Sequence, residues 1–135
     1  MEIENTLVSD EDRRFMKMAC ELARENVECG GAPFGAVVVK SGEVIATGCH
    51  SVTIDNDSTA HAVVNAIRHA CRSIHSYKLD GCVVYCNCEP CPMCEGALYC
   101  AGVSCIYYGN SADDAESTIN SDNFIYKDIK RPHQE

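Results

Sequence analysis

Apolar side chains recur at helical spacing near the start of the chain. The members of this stripe are Phe15, Met18, Ala19, Leu22 and Ala23. Intervals of three residues and one residue place such positions on one face of a helix, so the pattern predicts an amphipathic helix. Ser9 and Asp12 precede the stripe at the spacing of a capping pair. The pair Gly30-Gly31 predicts where the helix ends.

Two short runs rich in β-branched residues follow this helix. They cover residues 34–39 and 44–47, and Lys40-Ser41-Gly42 between them has the composition of a turn. Two such runs joined by a tight turn predict a β-hairpin.

The rest of the chain alternates between helical and strand patterns. The expected elements are a helix from His61 toward Ile74 capped by Asp57, Ser58 or Thr59, a strand over 82–86, a helix starting near Pro90 or Pro92, and a strand over 103–108. Alternation of this kind after a hairpin predicts helices on both faces of a central mixed sheet.

Length and charge limit the classes of function. With 135 residues, 46% of them hydrophobic, the sequence predicts a single domain over residues 1–135. Twenty acidic residues against eleven basic ones give a net charge of −9, which disfavours binding to nucleic acid or to anionic membranes. Neither a signal peptide nor an apolar run of membrane-spanning length is present, so we expect a cytoplasmic protein.

Cysteine is the unusual component, with eleven residues. An odd number without a secretory signal indicates reduced thiols rather than a disulfide scaffold. Seven of the eleven fall between Cys82 and Cys105, and such crowding favours a metal site. Others, including Cys86 and Cys88, are expected to pack as small buried hydrophobic residues.

Cys91 and Cys94 enclose Pro92-Met93 between a predicted strand and a predicted helix. A helix N-terminus favours thiolates, so the pair suits zinc, but a redox dithiol or two core cysteines fit the same pattern. His61 at the start of the preceding helix adds an imidazole. One imidazole and two thiolates leave the fourth position open, which is the arrangement of catalytic zinc sites.

These stretches resemble the cytidine deaminase-like zinc deaminase superfamily, and within it most closely the small bacterial-type guanine deaminases. The motifs are GAPFGA at 31–36, NDSTAHA at 56–62, CEPCPMCEGA at 88–97 and DNFIYKDI at 122–129. The first three also suit tRNA adenosine deaminases, whereas the FIYK sequence indicates the guanine branch.

The resemblance implies a three-layer α/β/α sandwich with a central mixed five-stranded sheet. It implies that His61, Cys91 and Cys94 bind Zn²⁺, that Phe34 lines the base pocket and that Asp122 contacts guanine. It further implies a homodimer whose active sites are completed near the subunit interface. The expected reaction is hydrolytic deamination of guanine to xanthine and ammonia by a zinc-activated water.

Val63 departs from this family pattern at the catalytic position. A glutamate in the third position of the His-x-Glu motif carries protons to the ring nitrogen and to the leaving ammonia. Valine accepts no proton, and general acid–base assistance contributes roughly 10²–10⁴-fold to rate. We therefore expect impaired turnover.

Further departures concern the substrate pocket. His50 occupies the place of an asparagine that binds the purine in relatives, so it either donates a hydrogen bond in its stead or is an ordinary histidine at a strand end. The second interpretation is favoured. Cys100 stands where guanine deaminases often have a tryptophan. Glu135 is the last residue, whereas those enzymes continue with a segment over the active site, so we expect incomplete closure on substrate.

Three functions follow from these observations. The first is a guanine deaminase-type enzyme with the substitution at Val63. The second is an inactive zinc-binding paralogue that serves as a partner subunit of an active deaminase, as the noncatalytic subunit of tRNA adenosine deaminase does with a valine at this position. The third is a thiol redox protein using Cys91 and Cys94, which the sequence context of His61 disfavours.

Overall fold

The computed structural model describes residues 2–4, 8–109 and 125–129. In these ranges the protein folds into a mixed β-sheet with helices on both faces. The strands are β1 (Glu2–Glu4), β2 (Gly35–Lys40), β3 (Glu43–Cys49), β4 (Cys82–Cys86), β5 (Cys105–Tyr108) and β6 (Ile125–Asp128). The helices are α1 (Asp10–Glu28), α2 (Val52–Asp55), α3 (Ala62–Ser73) and α4 (Pro92–Ala101). Within these ranges, no helix combines the length and apolar character needed to cross a membrane.

The strand order is β1-β6-β5-β4-β2-β3. Strands β4 and β5 run parallel, and the other neighbouring pairs are antiparallel. The predicted mixed five-stranded sheet is therefore confirmed in β2–β6, and β1 adds a strand at the edge beside β6. The expected hairpin is the β2–β3 pair.

Helix α1 begins with the predicted capping pair. The Ser9 Oγ atom accepts a hydrogen bond from the Asp12 backbone N–H at 3.0 Å, and the Asp12 carboxylate accepts one from the Ser9 N–H at 3.2 Å. Two N–H groups that the helix itself leaves unpaired are thereby satisfied. The capping box fixes where α1 starts.

Successive side chains of the central strands point to opposite faces, and each face is covered by helices. Val37 and Val39 pack with Phe15 and Met16 of α1 on one side. Val38 of the same strand packs on the other side, in the larger core that contains the buried residues of α3 and α4. The fold is therefore the predicted α/β/α sandwich.

Two glycines allow helices to approach the hairpin closely. A Cβ atom at Gly35 would lie 2.5 Å from the Ala19 carbonyl oxygen of α1, and one at Gly48 would lie 2.4 Å from the Ala66 nitrogen of α3. Contacts this short exclude a side chain at either position. The backbone contact at Gly48 brings the start of α3 beside the end of β3.

The predicted cap of α3 is wrong, because His61 itself is the N-cap residue. Asp57 instead makes local contacts: its Oδ1 atom accepts hydrogen bonds from the Thr59 N–H at 2.9 Å and from the Thr59 hydroxyl at 2.7 Å. Aspartate forms such turns as readily as helix caps. The short helix α2, which the sequence pattern did not predict, also lies in this connection.

Candidate functional site

Three side chains from the starts of two helices meet at one point. His61 is the N-cap residue of α3 and Cys91 is the N-cap residue of α4. The His61 Nδ1 atom lies 3.5 Å from the Sγ atoms of both Cys91 and Cys94, and the two sulfurs are 3.4 Å apart. Among the described residues, His61, Cys91 and Cys94 are the one group of three or more His, Cys, Asp or Glu side chains close enough together to bind a metal ion.

The triangle of ligand atoms has the dimensions of a zinc site. Tetrahedral bonds of about 2.0–2.1 Å to nitrogen and about 2.3 Å to sulfur place neighbouring ligand atoms roughly 3.5–3.8 Å apart. The two nitrogen–sulfur separations of 3.5 Å agree with this, and the sulfur–sulfur separation of 3.4 Å is slightly shorter. The residues present therefore fit zinc, and three protein ligands leave a fourth position for water or substrate.

The start of α4 follows from its local sequence. Pro92 occupies the first turn of the helix, where its fixed φ is helical and its missing N–H is not needed. This places Cys91 at the cap and Cys94 one turn later. The pKa of the Cys94 thiol is raised to about 12, mainly by burial and to a smaller extent by the hydrogen bond with Cys91. A cation at the site therefore displaces a proton, which makes metal binding pH-dependent.

A cavity of about 220 Å³ adjoins the three ligands. Besides the ligands, its walls include Phe34, His50, Val63, Cys86, Cys88 and Glu89. The lining is mostly apolar, which is typical of pockets that bind small aromatic ligands. Cys86 and Cys88 line this wall outside the metal cluster, in agreement with the expectation that they pack rather than bind metal.

Phe34 and His50 form one side of the cavity. Their ring centroids are 5.4 Å apart, and the His50 ring lies 5.4 Å from the His61 ring. Burial, and next the neighbouring His61, lower the pKa of His50. His50 does follow β3, as expected for a histidine at a strand end, and it is also one of the residues that line the cavity.

Val63 lies in the first turn of α3, is only 2% exposed and is one of the residues that line the cavity. An apolar group therefore occupies the place where the proton carrier was expected. Among the described residues that line the cavity, Glu89 supplies the single carboxylate, and Glu89 is exposed to solvent. Asp122, predicted to contact guanine, lies outside the described residues.

Sequence reasoning missed three asparagines behind the cavity wall. Asn26, Asn65 and Asn87 each use their side-chain amide to bind backbone groups next to Phe34 or His50. Asn87 offered one signal, because it is a polar residue that directly follows the apolar strand β4. Asn26 and Asn65 offered none, since each lies in an ordinary helical pattern.

Comparison with known proteins gives one consistent family. Residues 9–110 match the family described as the cytidine and deoxycytidylate deaminase zinc-binding region. The guanine deaminase of Bacillus subtilis is 50% identical over 122 residues, which make up 90% of this chain and 78% of that protein. The solved structure of guanine deaminase from Bacillus subtilis superposes with a TM-score of 0.72 and covers 78% of this chain and 68% of that one.

Two further matches are a tRNA-specific deaminase and a protein whose structure was solved with a purine analogue. A tRNA-specific adenosine deaminase of Buchnera aphidicola subsp. Schizaphis graminum is 39% identical over 106 residues, covering 78% of this chain and 70% of that protein. The solved structure of a mutant protein in complex with 8-azaguanine is 31% identical, with a TM-score of 0.71. It covers 87% of this chain and 66% of that one.

Proposed function

The chain belongs to the cytidine and deoxycytidylate deaminase zinc-binding family, and from this membership we propose that it is a guanine deaminase-type zinc protein whose turnover is limited by Val63. The observation that carries the proposal is the triangle of His61, Cys91 and Cys94 beside a mostly apolar cavity. The 50% identity to a guanine deaminase supports guanine as the base. The reaction is hydrolysis of guanine to xanthine and ammonia.

His61, Cys91 and Cys94 hold the zinc in this proposal. Zinc bound there supplies Lewis-acid activation of the hydrolytic water. The Phe34 ring offers an aromatic face to the purine, and the His50 imidazole offers a ring nitrogen for a hydrogen bond to it. Asp122 completes guanine recognition as an acceptor for the donor groups on the base.

Proton transfer is the step that this chain supports poorly. Deamination needs a group that accepts a proton from the water and delivers protons to the ring nitrogen and to the amine that leaves. Val63 provides none, and Glu89, which lines the cavity, is exposed to solvent. Loss of a general acid–base group lowers the rate by roughly 10²–10⁴-fold.

A second function is favoured by the same valine. The buried Val63 makes the cavity able to hold a base next to zinc without converting it rapidly, as expected of an inactive paralogue that assists an active deaminase. We also propose a single domain over residues 1–135, a cytoplasmic location and a homodimer.

Light scattering of the purified protein measures its mass and so tests the homodimer. The same measurement on an equal mixture with an active deaminase tests the heterodimer.

The experiment that tests the proposed function measures base binding and ammonia release together. The zinc-loaded protein is incubated with guanine, adenine, cytosine and their nucleosides, and calorimetry gives the affinity for each. We expect guanine to bind in preference to the other bases and to release ammonia slowly. Preferred binding of cytosine or adenine, or the absence of binding to every base, would contradict the proposal.

A further inference from the structure

We propose that Asn65 and Asn87 are positioning residues for the purine pocket, because their amides fix His50 and Phe34 from behind. This inference rests on the proposed function, since it concerns how the same cavity holds its base. Neither asparagine lines the cavity. Asn87 bonds to the backbone on both sides of Phe34, whereas Asn65 bonds to the backbone before His50 and to the side chain of the residue after it.

Asn87 holds the two neighbours of Phe34. Its Oδ1 atom accepts a hydrogen bond from the Gly35 N–H at 3.0 Å, and its Nδ2 atom donates one to the Pro33 carbonyl at 2.9 Å. Asn87 is fully buried, and among the residues that the structure describes it is the one polar residue classed as buried. A buried amide keeps this arrangement because leaving either group unpaired is unfavourable. The backbone of Phe34 is thereby fixed on both sides.

Asn65 does the same for His50. The Asn65 Nδ2 atom donates hydrogen bonds to the Cys49 carbonyl at 2.7 Å and to the Ser51 hydroxyl at 2.9 Å. Asn65 lies one turn after the metal ligand His61, and its own N–H donates to the His61 carbonyl at 2.9 Å. One side chain therefore ties the His50 segment to the helix that carries a zinc ligand.

Asn26 joins the two segments to each other. Its Nδ2 atom donates to the carbonyl oxygens of Ala32 and His50, both at 2.8 Å. The His50 N–H in turn donates to the Phe34 carbonyl at 3.2 Å. The backbone of His50 is therefore bonded through both its N–H and its carbonyl group.

The consequence is a preorganised wall. Pockets bind rigid ligands well when the contacting side chains are held in place before the ligand arrives. The rings of Phe34 and His50 stand on connecting segments, and such segments move more easily than helices or strands. Hydrogen bonds from the side-chain amides of Asn26, Asn65 and Asn87 restrict the motion of these two segments. We expect purine affinity, rather than metal affinity, to depend on them.

The test compares isosteric variants that lose the donor. Asn65→Asp and Asn87→Asp keep the shape of the side chain but cannot donate from the former Nδ2 position. The zinc-loaded variants are titrated with 8-azaguanine by calorimetry, and their affinity for zinc is measured separately. We expect 8-azaguanine affinity to fall by about tenfold or more, as for loss of one hydrogen bond to a well-ordered site, with zinc affinity changed by less than about threefold.

Tyr85→Phe is the matched structural control. The Tyr85 hydroxyl donates to the Asp12 carboxylate at 2.5 Å on the face of the sheet opposite α3, so its loss weakens the fold without touching the pocket. Asn26→Ala is a second variant, suited to the case in which a buried aspartate prevents folding, because Asn26 is only half-buried. We expect Asn26→Ala to weaken 8-azaguanine binding and Tyr85→Phe to leave it unchanged.

The outcomes separate this inference from the function on which it rests. Unchanged 8-azaguanine affinity in the asparagine variants, with clear binding by the unsubstituted protein, overturns the positioning role alone. Equal loss of affinity in Tyr85→Phe also overturns it, because the effect would then follow from stability. Absence of 8-azaguanine binding by the unsubstituted zinc protein overturns the proposed function as well.

Discussion

The Sγ atoms of Cys91 and Cys94 lie 3.4 Å apart at the start of α4. The pair alone would suit a redox dithiol as well as a metal site. The His61 Nδ1 atom, 3.5 Å from both sulfurs, resolves the ambiguity, because an imidazole at this distance completes three corners of a zinc tetrahedron.

Metal content is the first prediction. We expect one zinc ion per chain, and we expect Cys94→Ser to lose it because a hydroxyl is a poor replacement for a thiolate ligand. Cys88→Ser is the matched control, since Cys88 lines the same cavity outside the metal cluster. Elemental analysis after dialysis measures both. Retention of zinc by Cys94→Ser, or its loss from Cys88→Ser, would show that the ligands are assigned incorrectly.

Glu89 provides the second prediction. Glu89 lines the cavity but is exposed to solvent, and it is outside the metal cluster. We therefore expect Glu89→Gln to change guanine turnover by less than about threefold, in contrast to the roughly 10²–10⁴-fold loss on removing a general acid–base group. Steady-state ammonia release measures this. A loss of a hundredfold, about the lower limit for such a group, would identify Glu89 as the proton carrier.

Two glycines give a stability prediction with an internal control. A Cβ atom at Gly48 would lie 2.4 Å from the Ala66 nitrogen and 2.5 Å from the Ala62 carbonyl oxygen. We expect Gly48→Ala to lower the free energy of unfolding by about 1–3 kcal/mol, the range for an overpacked core. Among the described residues, no atom outside the neighbouring backbone of α4 lies within 4 Å of a Cβ built at Gly96. Gly96→Ala should therefore raise the free energy of unfolding by about 0.5–1 kcal/mol. Urea unfolding measures both, and equal effects would contradict the close packing of α3 on β3.

The contact between α1 and β4 gives a further prediction. The Tyr85 hydroxyl donates to the Asp12 carboxylate at 2.5 Å, and this hydrogen bond is only partly buried. Tyr85→Phe removes the bond and keeps the stacked ring pair with Tyr107. We expect the free energy of unfolding to fall by about 1–2 kcal/mol, as for a hydrogen bond to a charged group. An unchanged urea midpoint would mean that water replaces the bond in solution.

Local signals explain what the sequence could predict. Ser9 and Asp12 of the capping pair are three positions apart, as are the metal-binding Cys91 and Cys94, so both pairs are visible in a short stretch of sequence. His61 was recognised because its neighbours match a known motif. The cap of α3 was predicted wrongly because Asp57 had two local uses, and its turn with Thr59 prevailed.

Hydrogen bonds between residues far apart in the sequence explain what the sequence could not predict. Asn87 binds backbone groups 52 and 54 residues away, and Asn26 binds the His50 carbonyl 24 residues away. Asparagine on its own is compatible with a surface, a turn or a cap, and no local pattern states which carbonyl it will meet. The support of the cavity wall therefore becomes visible only in the folded chain.

The most direct test of the account is guanine turnover by the zinc-loaded Val63→Glu variant, with Val63→Gln as the control of similar shape. Ammonia release gives kcat/KM for both and for the unsubstituted protein. The account predicts a gain of about a hundredfold or more for Val63→Glu, the contribution of a general acid–base group, and little gain for Val63→Gln. If Val63→Glu binds zinc and 8-azaguanine but turns guanine over no faster than the unsubstituted protein, the claim that this valine limits a guanine deaminase pocket is contradicted.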